Sequence, residues 1–159
     1  VIKETKCDGV KLEGGFKIKN IIFHLTNNKI PVMGHIGILP QLVRGKFKSK
    51  GKSEKEKKQL MKDAIILEQG GCFGIVLECV EKNLSKKITK AIKIPTIGIG
   101  SSHYCDGQIL VTDDIFGLTN SNMKFVKKYI DLKKFIRKGA KKFRSEVINN
   151  KYPNKRYSY

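Results

Sequence analysis

Four ionisable side chains stand where short apolar runs come to an end. They are Lys11 and Glu13 in Val10-Lys11-Leu12-Glu13, His35 after Val32-Met33-Gly34, and Glu78 near the close of Gly71-Cys72-Phe73-Gly74-Ile75-Val76-Leu77-Glu78-Cys79-Val80. A carboxylate beside so much apolar surface suits proton transfer. The same position also suits a glutamate that has simply reached the solvated lip of a strand, and both readings stand. Lys11 and Glu13 are two apart, so they share one side of their strand. A cation beside a carboxylate can hold an anionic substrate and a hard metal together. A plain ion pair on a solvated strand end is the alternative. His35 can bind a substrate oxygen or serve as a hydrogen-bonded structural histidine. No second His or Cys stands at ligand spacing from it, which argues against a zinc centre. His24 falls on a helical pattern and His103 in a loop. There is no nucleophile elbow and no P-loop. Asp113 and Asp114 read as turn residues rather than catalysts.

These side chains need a scaffold that brings separate strand ends together. Residues 1–7 look like the tail of a helix closed by Asp8-Gly9. Residues 10–13 then form a strand, and 16–28 a helix with Ile18, Ile21, Ile22 and Leu25 on one face. A second strand covers 32–35. A long Gly- and Lys-rich segment, 37–53, follows; loops of that length are uncommon and often functional. Ser53 is placed to cap a helix over 54–69, with Glu56 at the capping-box position. The central strand comes next, bounded by Gly70-Gly71 and apolar enough to be buried on both faces. Leu84, Ile88, Ala91 and Ile92 mark another helix, and Pro95-Thr96-Ile97-Gly98-Ile99-Gly100 another strand. Residues 106–116 suggest a short helix, 124–129 a weak fifth strand by alternation, and Leu132, Ile136, Phe143 and Val147 a last long helix. Tyr152-Pro153 ends it, and the tail reads as frayed. Strands alternating with helices give a parallel α/β sheet or barrel. A dinucleotide-type sheet fits less well, because Gly98-x-Gly100 lacks a third glycine.

The chain has 159 residues, enough for a single domain with its own core. Its formal net charge is +19, from 29 Lys and 4 Arg against 14 acidic residues. A basic nucleic-acid-binding module is one reading of that charge. Arg, the better bidentate reader of phosphate and bases, is scarce. Lys is spread over almost every segment, which favours solvated faces over a dedicated site. Cys7, Cys72, Cys79 and Cys105 show no paired metal spacing, and free thiols on an apolar strand act as small hydrophobes. A reducing, cytoplasmic setting is expected. No run approaches a membrane span and no signal peptide is visible.

Five stretches occur in order: Val10-Lys11-Leu12-Glu13-Gly14-Gly15, the eleven-residue run Pro31-Val32-Met33-Gly34-His35-Ile36-Gly37-Ile38-Leu39-Pro40-Gln41, Val76-Leu77-Glu78-Cys79-Val80, residues 95–100, and Cys105-Asp106-Gly107-Gln108-Ile109-Leu110-Val111. Together they closely resemble the ketopantoate hydroxymethyltransferase family, over residues 1 to about 152. The resemblance implies a (βα)8 TIM barrel of the phosphoenolpyruvate mutase and isocitrate lyase type, of which this chain holds about the last five βα units. Residues 1–152 are then one partial barrel domain and 153–159 a C-terminal tail. It implies transfer of a one-carbon unit from 5,10-methylenetetrahydrofolate, as co-substrate, to 3-methyl-2-oxobutanoate, giving 2-dehydropantoate on the way to pantothenate. Magnesium would chelate the keto acid. Glu78 would be the proton acceptor, Lys11 and His35 would bind substrate, and Glu13 would sit in the metal site. The family forms ring-like homo-oligomers, and neither nucleic acid nor membrane is an expected partner. The resemblance also implies about three further βα units carrying two metal-binding aspartates, so the chain alone is expected to be inactive. The Lys-rich stretch Arg44 to Lys58 would correspond to a loop over the mouth, either a lid or a solvated loop. Another keto-acid lyase or transferase of the same barrel superfamily is the remaining alternative.

Overall fold

The computed structural model describes residues 2–42 and 48–159. The chain divides into two compact units, Val1–Ile109 and Leu110–Tyr159, whereas the sequence suggests a boundary at 152/153.

The first unit carries five parallel strands in unbroken chain order: β1 (Val10–Glu13), β2 (Val32–Gly37), β3 (Gly74–Glu78), β4 (Thr96–Ile99) and β5 (Gly107–Gln108). The order never reverses, so the sheet lacks the switch point of a doubly wound fold. A short helix α1 (Ile2–Thr5) precedes β1. A 3₁₀ turn (Phe16–Ile18) and α2 (Lys19–Asn27) connect β1 to β2, α3 (Glu54–Gln69) connects β2 to β3, and α4 (Lys82–Ala91) connects β3 to β4.

Register decides which side chains share a face. Lys11 lies beside Met33, Glu13 beside His35, His35 beside Val76, and Gly37 beside Glu78. Side chains alternate along a strand, so Leu12, Val32, Gly34, Ile36, Ile75, Leu77 and Thr96 point the other way. That second face carries the core. Val32, Ile36, Ile75 and Leu77 pack with Ile22 of α2, Leu60, Ala64 and Leu67 of α3, and Leu84 and Ile88 of α4. Burying a side chain such as Leu67 is worth about 1.5–3 kcal/mol. Gly34 lets α3 press onto β2, because a Cβ there would lie 2.6 Å from Leu67 Cδ1.

Local signals place the helices. Ser53 caps α3, its Oγ accepting from the Glu56 amide at 3.2 Å. Glu56 reaches back further than a capping box requires, accepting from the amides of Gly51 and Lys52 at 3.1 Å each. Glu81 caps α4 through the amides of Asn83 and Leu84. Lys50 donates its amide to the Cys79 carbonyl at 2.9 Å, and Glu81 donates to the Lys50 carbonyl. The expected lid, Arg44 to Lys58, is therefore only partly testable. Residues 44–47 lie outside the described residues, Lys50 is tied to the end of β3, and 54–58 belong to α3.

The sheet continues past β4 without a helix. Asp106 accepts from the Thr96 amide and hydroxyl at 2.8 and 2.9 Å, and the Gln108 side chain donates to the Ser102 carbonyl. These bonds hold the short β4–β5 connection. The Thr96 amide, chiefly, keeps the Asp106 carboxyl below the usual carboxylate range.

The second unit holds α5 (Thr112–Ile115) and α6 (Leu132–Ile148). The helix expected over 106–116 shrinks to α5, with β5 ahead of it. The fifth strand is β5, not 124–129, which is turn and irregular chain. The amides of Tyr129 and Leu132 bond to the carbonyls of Ile115 and Phe116 rather than to a strand. Asp131 caps α6 through the Lys134 amide. Ile136, Phe143 and Val147 of its apolar stripe are exposed. The tail is exposed throughout, with Tyr152 packed edge-on against Phe143 and Tyr157 against Tyr152, ring centroids 5.5 and 5.9 Å apart. No helix among the described residues is long and apolar enough to cross a membrane. All four cysteines are free thiols.

Candidate active site

Lys11, Glu13, His35 and Glu78 all lie on the sheet face turned away from the packed helices, near the C-terminal ends of β1, β2 and β3. That edge is where parallel α/β proteins gather their chemistry. Lys11 Nζ lies 3.1 Å from His35 Nδ1 and 3.6 Å from Glu13 Oε1. His35 Nε2 lies 3.2 Å from Glu78 Oε2 and 2.9 Å from the Ile38 carbonyl oxygen. The four side chains thus form a continuous run, Glu13–Lys11–His35–Glu78.

Burial differs along that run. The His35 side chain is 4% exposed, Glu13 9% and Glu78 13%, while Lys11 is 44% exposed. The ammonium reaches toward solvent and the acids sit behind it. An incoming carboxylate would meet a cation first. Lys11 and Glu13 form the ion pair that the sequence left open, with the lysine half-exposed and the glutamate nearly enclosed.

The backbone around Glu78 is held from three sides. Ile38 donates its amide to the Glu78 carbonyl at 2.9 Å, and Cys79 donates to the Ile99 carbonyl at 2.8 Å. Cys79 adopts a φ of 51°, a left-handed conformation rare for a side-chain-bearing residue. Ser101 fastens this turn, its Oγ donating to the Leu77 carbonyl at 2.6 Å and accepting from the Val80 amide at 3.0 Å. Ser101, the Ile38 carbonyl and the Gln41 amide escape a reading by residue type. Two act through backbone atoms, and a serine pair after a glycine carries no distinguishing pattern.

The fit to a divalent cation is incomplete. Glu13 turns one oxygen toward Lys11 and accepts from the Gln41 amide at 3.2 Å with the other. No group of three or more His, Cys, Asp or Glu side chains among the described residues is placed to hold a metal ion. A hard dication takes six or so oxygen ligands. These residues offer one ligand and not a centre.

Two buried thiols flank β3, Cys72 before it and Cys79 after it, and are inert in character. Burial pushes both Cys72 and Cys79 up to about 11, the Glu78 charge adding to the effect at Cys79. Thiols so slow to ionise make poor nucleophiles.

Fold and site together define a parallel α/β protein with a lysine–histidine–glutamate cluster at the C-terminal mouth of its sheet. The chain belongs to the ketopantoate hydroxymethyltransferase family, whose model matches residues 1–155. It is 54% identical over 159 residues to a 3-methyl-2-oxobutanoate hydroxymethyltransferase of Pelagibacter ubique, covering 100% of this chain and 62% of that protein. A protein of the same name from Sulfurisphaera tokodaii is 48% identical over 153 residues, with 95% and 57% covered. Another from Clostridium botulinum is 45% identical over 161 residues, with 99% and 58% covered. The chain therefore spans about three fifths of the length of these relatives.

Proposed function

We propose that the protein carrying this chain transfers a hydroxymethyl group to 3-methyl-2-oxobutanoate, giving 2-dehydropantoate for pantothenate synthesis, with 5,10-methylenetetrahydrofolate as the one-carbon donor. Family membership supports the reaction, since the relatives' name states the acceptor and the group moved. The observation that carries it for this chain is the convergence of Lys11 and Glu78 on the two ring nitrogens of one buried histidine. Each half of the reaction has a matching side chain. The Lys11 ammonium holds the keto acid's carboxylate at the mouth. The Glu78 carboxylate accepts the proton from the carbon next to the ketone. The C–H electron pair moves into the new C=C bond, and the keto oxygen takes up the negative charge. The resulting carbon nucleophile bonds to the one-carbon unit, which leaves the folate nitrogens while water supplies the hydroxyl oxygen. Magnesium would stabilise the enolate oxygen when bound. Among the described residues, Glu13 is the ligand this chain would lend it.

The unreversed strand order, with helices packed on one face only, supports reading the sheet as an arc of a (βα)8 barrel that includes residues 1–152. A ring-like homo-oligomer and a cytoplasmic setting belong to the same proposal. The test is direct. The protein as its cell makes it, given magnesium, 3-methyl-2-oxobutanoate and 5,10-methylenetetrahydrofolate, forms 2-dehydropantoate detectable by NMR. A folded protein that leaves the keto acid unchanged refutes the proposal.

A further inference from the structure

We propose that His35 is a positioning residue that sets Lys11 and Glu78 against each other, and that it does not itself touch the substrate. This rests on the reading of Lys11 and Glu78 given above. The imidazole is 4% exposed, and both of its nitrogens already meet protein atoms. Their partners fix the tautomer. The Ile38 carbonyl can only accept, so Nε2 carries the proton and donates across 2.9 Å. The Lys11 ammonium can only donate, so Nδ1 presents its lone pair across 3.1 Å. The Glu78 oxygen then rests 3.2 Å from the same Nε2, against the positive edge of the ring.

The ring is itself fixed. His35 lies in the middle of the β1–β2–β3 pairing, beside Glu13 on one side and Val76 on the other. Its own carbonyl accepts from the Gly14 amide at 2.8 Å. The Ile38 carbonyl, three residues on, is anchored because the Ile38 amide donates to the Glu78 carbonyl. A rigid ring between a long, half-exposed lysine and a short, enclosed glutamate holds the group that binds at a set distance from the group that takes the proton. Holding reacting groups in register is a large part of catalysis.

Two conservative variants separate the two sides of the ring. Gln places an N–H near the Nε2 position, so His35→Gln keeps the contact at Ile38 and Glu78 and loses the acceptor for Lys11. Asn places an oxygen near the Nδ1 position, so His35→Asn keeps the acceptor and loses the contact with Glu78. In the protein as its cell makes it, His35→Gln raises the KM for 3-methyl-2-oxobutanoate roughly tenfold with kcat changed less than about threefold. His35→Asn lowers kcat roughly tenfold or more with KM nearly unchanged. Equal effects in the two variants, or the reverse pattern, overturn the proposal.

A second measurement does not depend on turnover or on the His35 variants folding. In protein labelled with ¹⁵N-histidine, the His35 ring shows a protonated Nε2 and an unprotonated Nδ1, and Lys11→Met moves the Nδ1 resonance alone. A proton on Nδ1, or an Nδ1 resonance indifferent to Lys11→Met, overturns it as well. Wild-type protein without transferase activity would instead sink the functional reading and leave the ring assignment standing.

Discussion

Gly37 lies beside Glu78 in the pairing of β2 with β3, and a Cβ built on Gly37 would sit 2.2 Å from the Glu78 carbonyl oxygen. Its φ of +103° is one that side-chain-bearing residues rarely adopt. Two independent conditions, space and conformation, therefore demand glycine next to Glu78. Gly37→Ala is expected to destabilise the fold by at least about 1–3 kcal/mol and to displace the end of β3. The midpoint of urea unfolding checks this. An unchanged midpoint would mean that the two strands separate at this point without cost.

Glu78→Gln keeps the shape of the side chain and removes its ability to take a proton. The expected loss in kcat is about 10²–10⁴, the usual contribution of a positioned base. Keto-acid affinity should persist, because Lys11 is untouched. Exchange of the C3 proton of 3-methyl-2-oxobutanoate in D₂O isolates the step. Exchange at the wild-type rate in the variant would remove Glu78 from its role.

Cys72 and Cys79 make a prediction on the alkaline side. Both thiols ionise near 11 in the folded chain, against an ordinary value of 9.0, because burial disfavours the thiolate. Folding thus favours the protonated thiol. That stabilisation is fully present below about pH 9 and is lost as the pH rises from there through about 11. The thermal midpoint should fall across this window, and less so in Cys72→Ala/Cys79→Ala measured against its own neutral-pH value. At neutral pH, a thiol reagent should label Cys7, which is only half-buried, well before the buried pair. Equal labelling rates would show that the end of β3 opens readily.

Metal binding by these 159 residues should be weak. Of the two carboxylates among the site's described residues, Glu13 already meets Lys11 and the Gln41 amide, and Glu78 lies against the His35 ring. Magnesium titrated into the chain should show no saturation below about 10⁻³ M, the weak end of hard-cation sites. A micromolar Kd by calorimetry would reveal ligands that the described side chains do not account for.

Much of this architecture was legible in the residues. β1 to β4 announce themselves as apolar runs closed by glycine or proline, and Ser53 marks the start of α3 one turn ahead of Glu56. β5 escaped because two residues carry no period; it exists through side-chain bonds from Asp106 and Gln108. The alternation of 124–129 misled for the opposite reason: the period is there, but the Val126 amide bonds back to the Met123 carbonyl and the Tyr129 amide to the Ile115 carbonyl of α5, not to a strand. The positions of Lys11, Glu13, His35 and Glu78 at strand ends could be read directly. Their contacts could not. Which nitrogen of His35 meets which neighbour depends on inter-strand register, and register follows from packing between distant segments, not from spacing within one.

The helix-covered side of the sheet is apolar, and the ionisable side chains of β1, β2 and β3 gather on the other. Strand side chains alternate with a period of two, so slipping β2 by a single residue would bring Ile36 to the mouth and bury His35 under α3. An inserted or deleted residue within β2 should therefore erase fold and chemistry in the same stroke, whereas the joints between strands and helices can change length wherever they do not carry the bonds of Ile38, Gln41, Lys50 and Ser101. Drift among relatives of this chain should be confined to those joints.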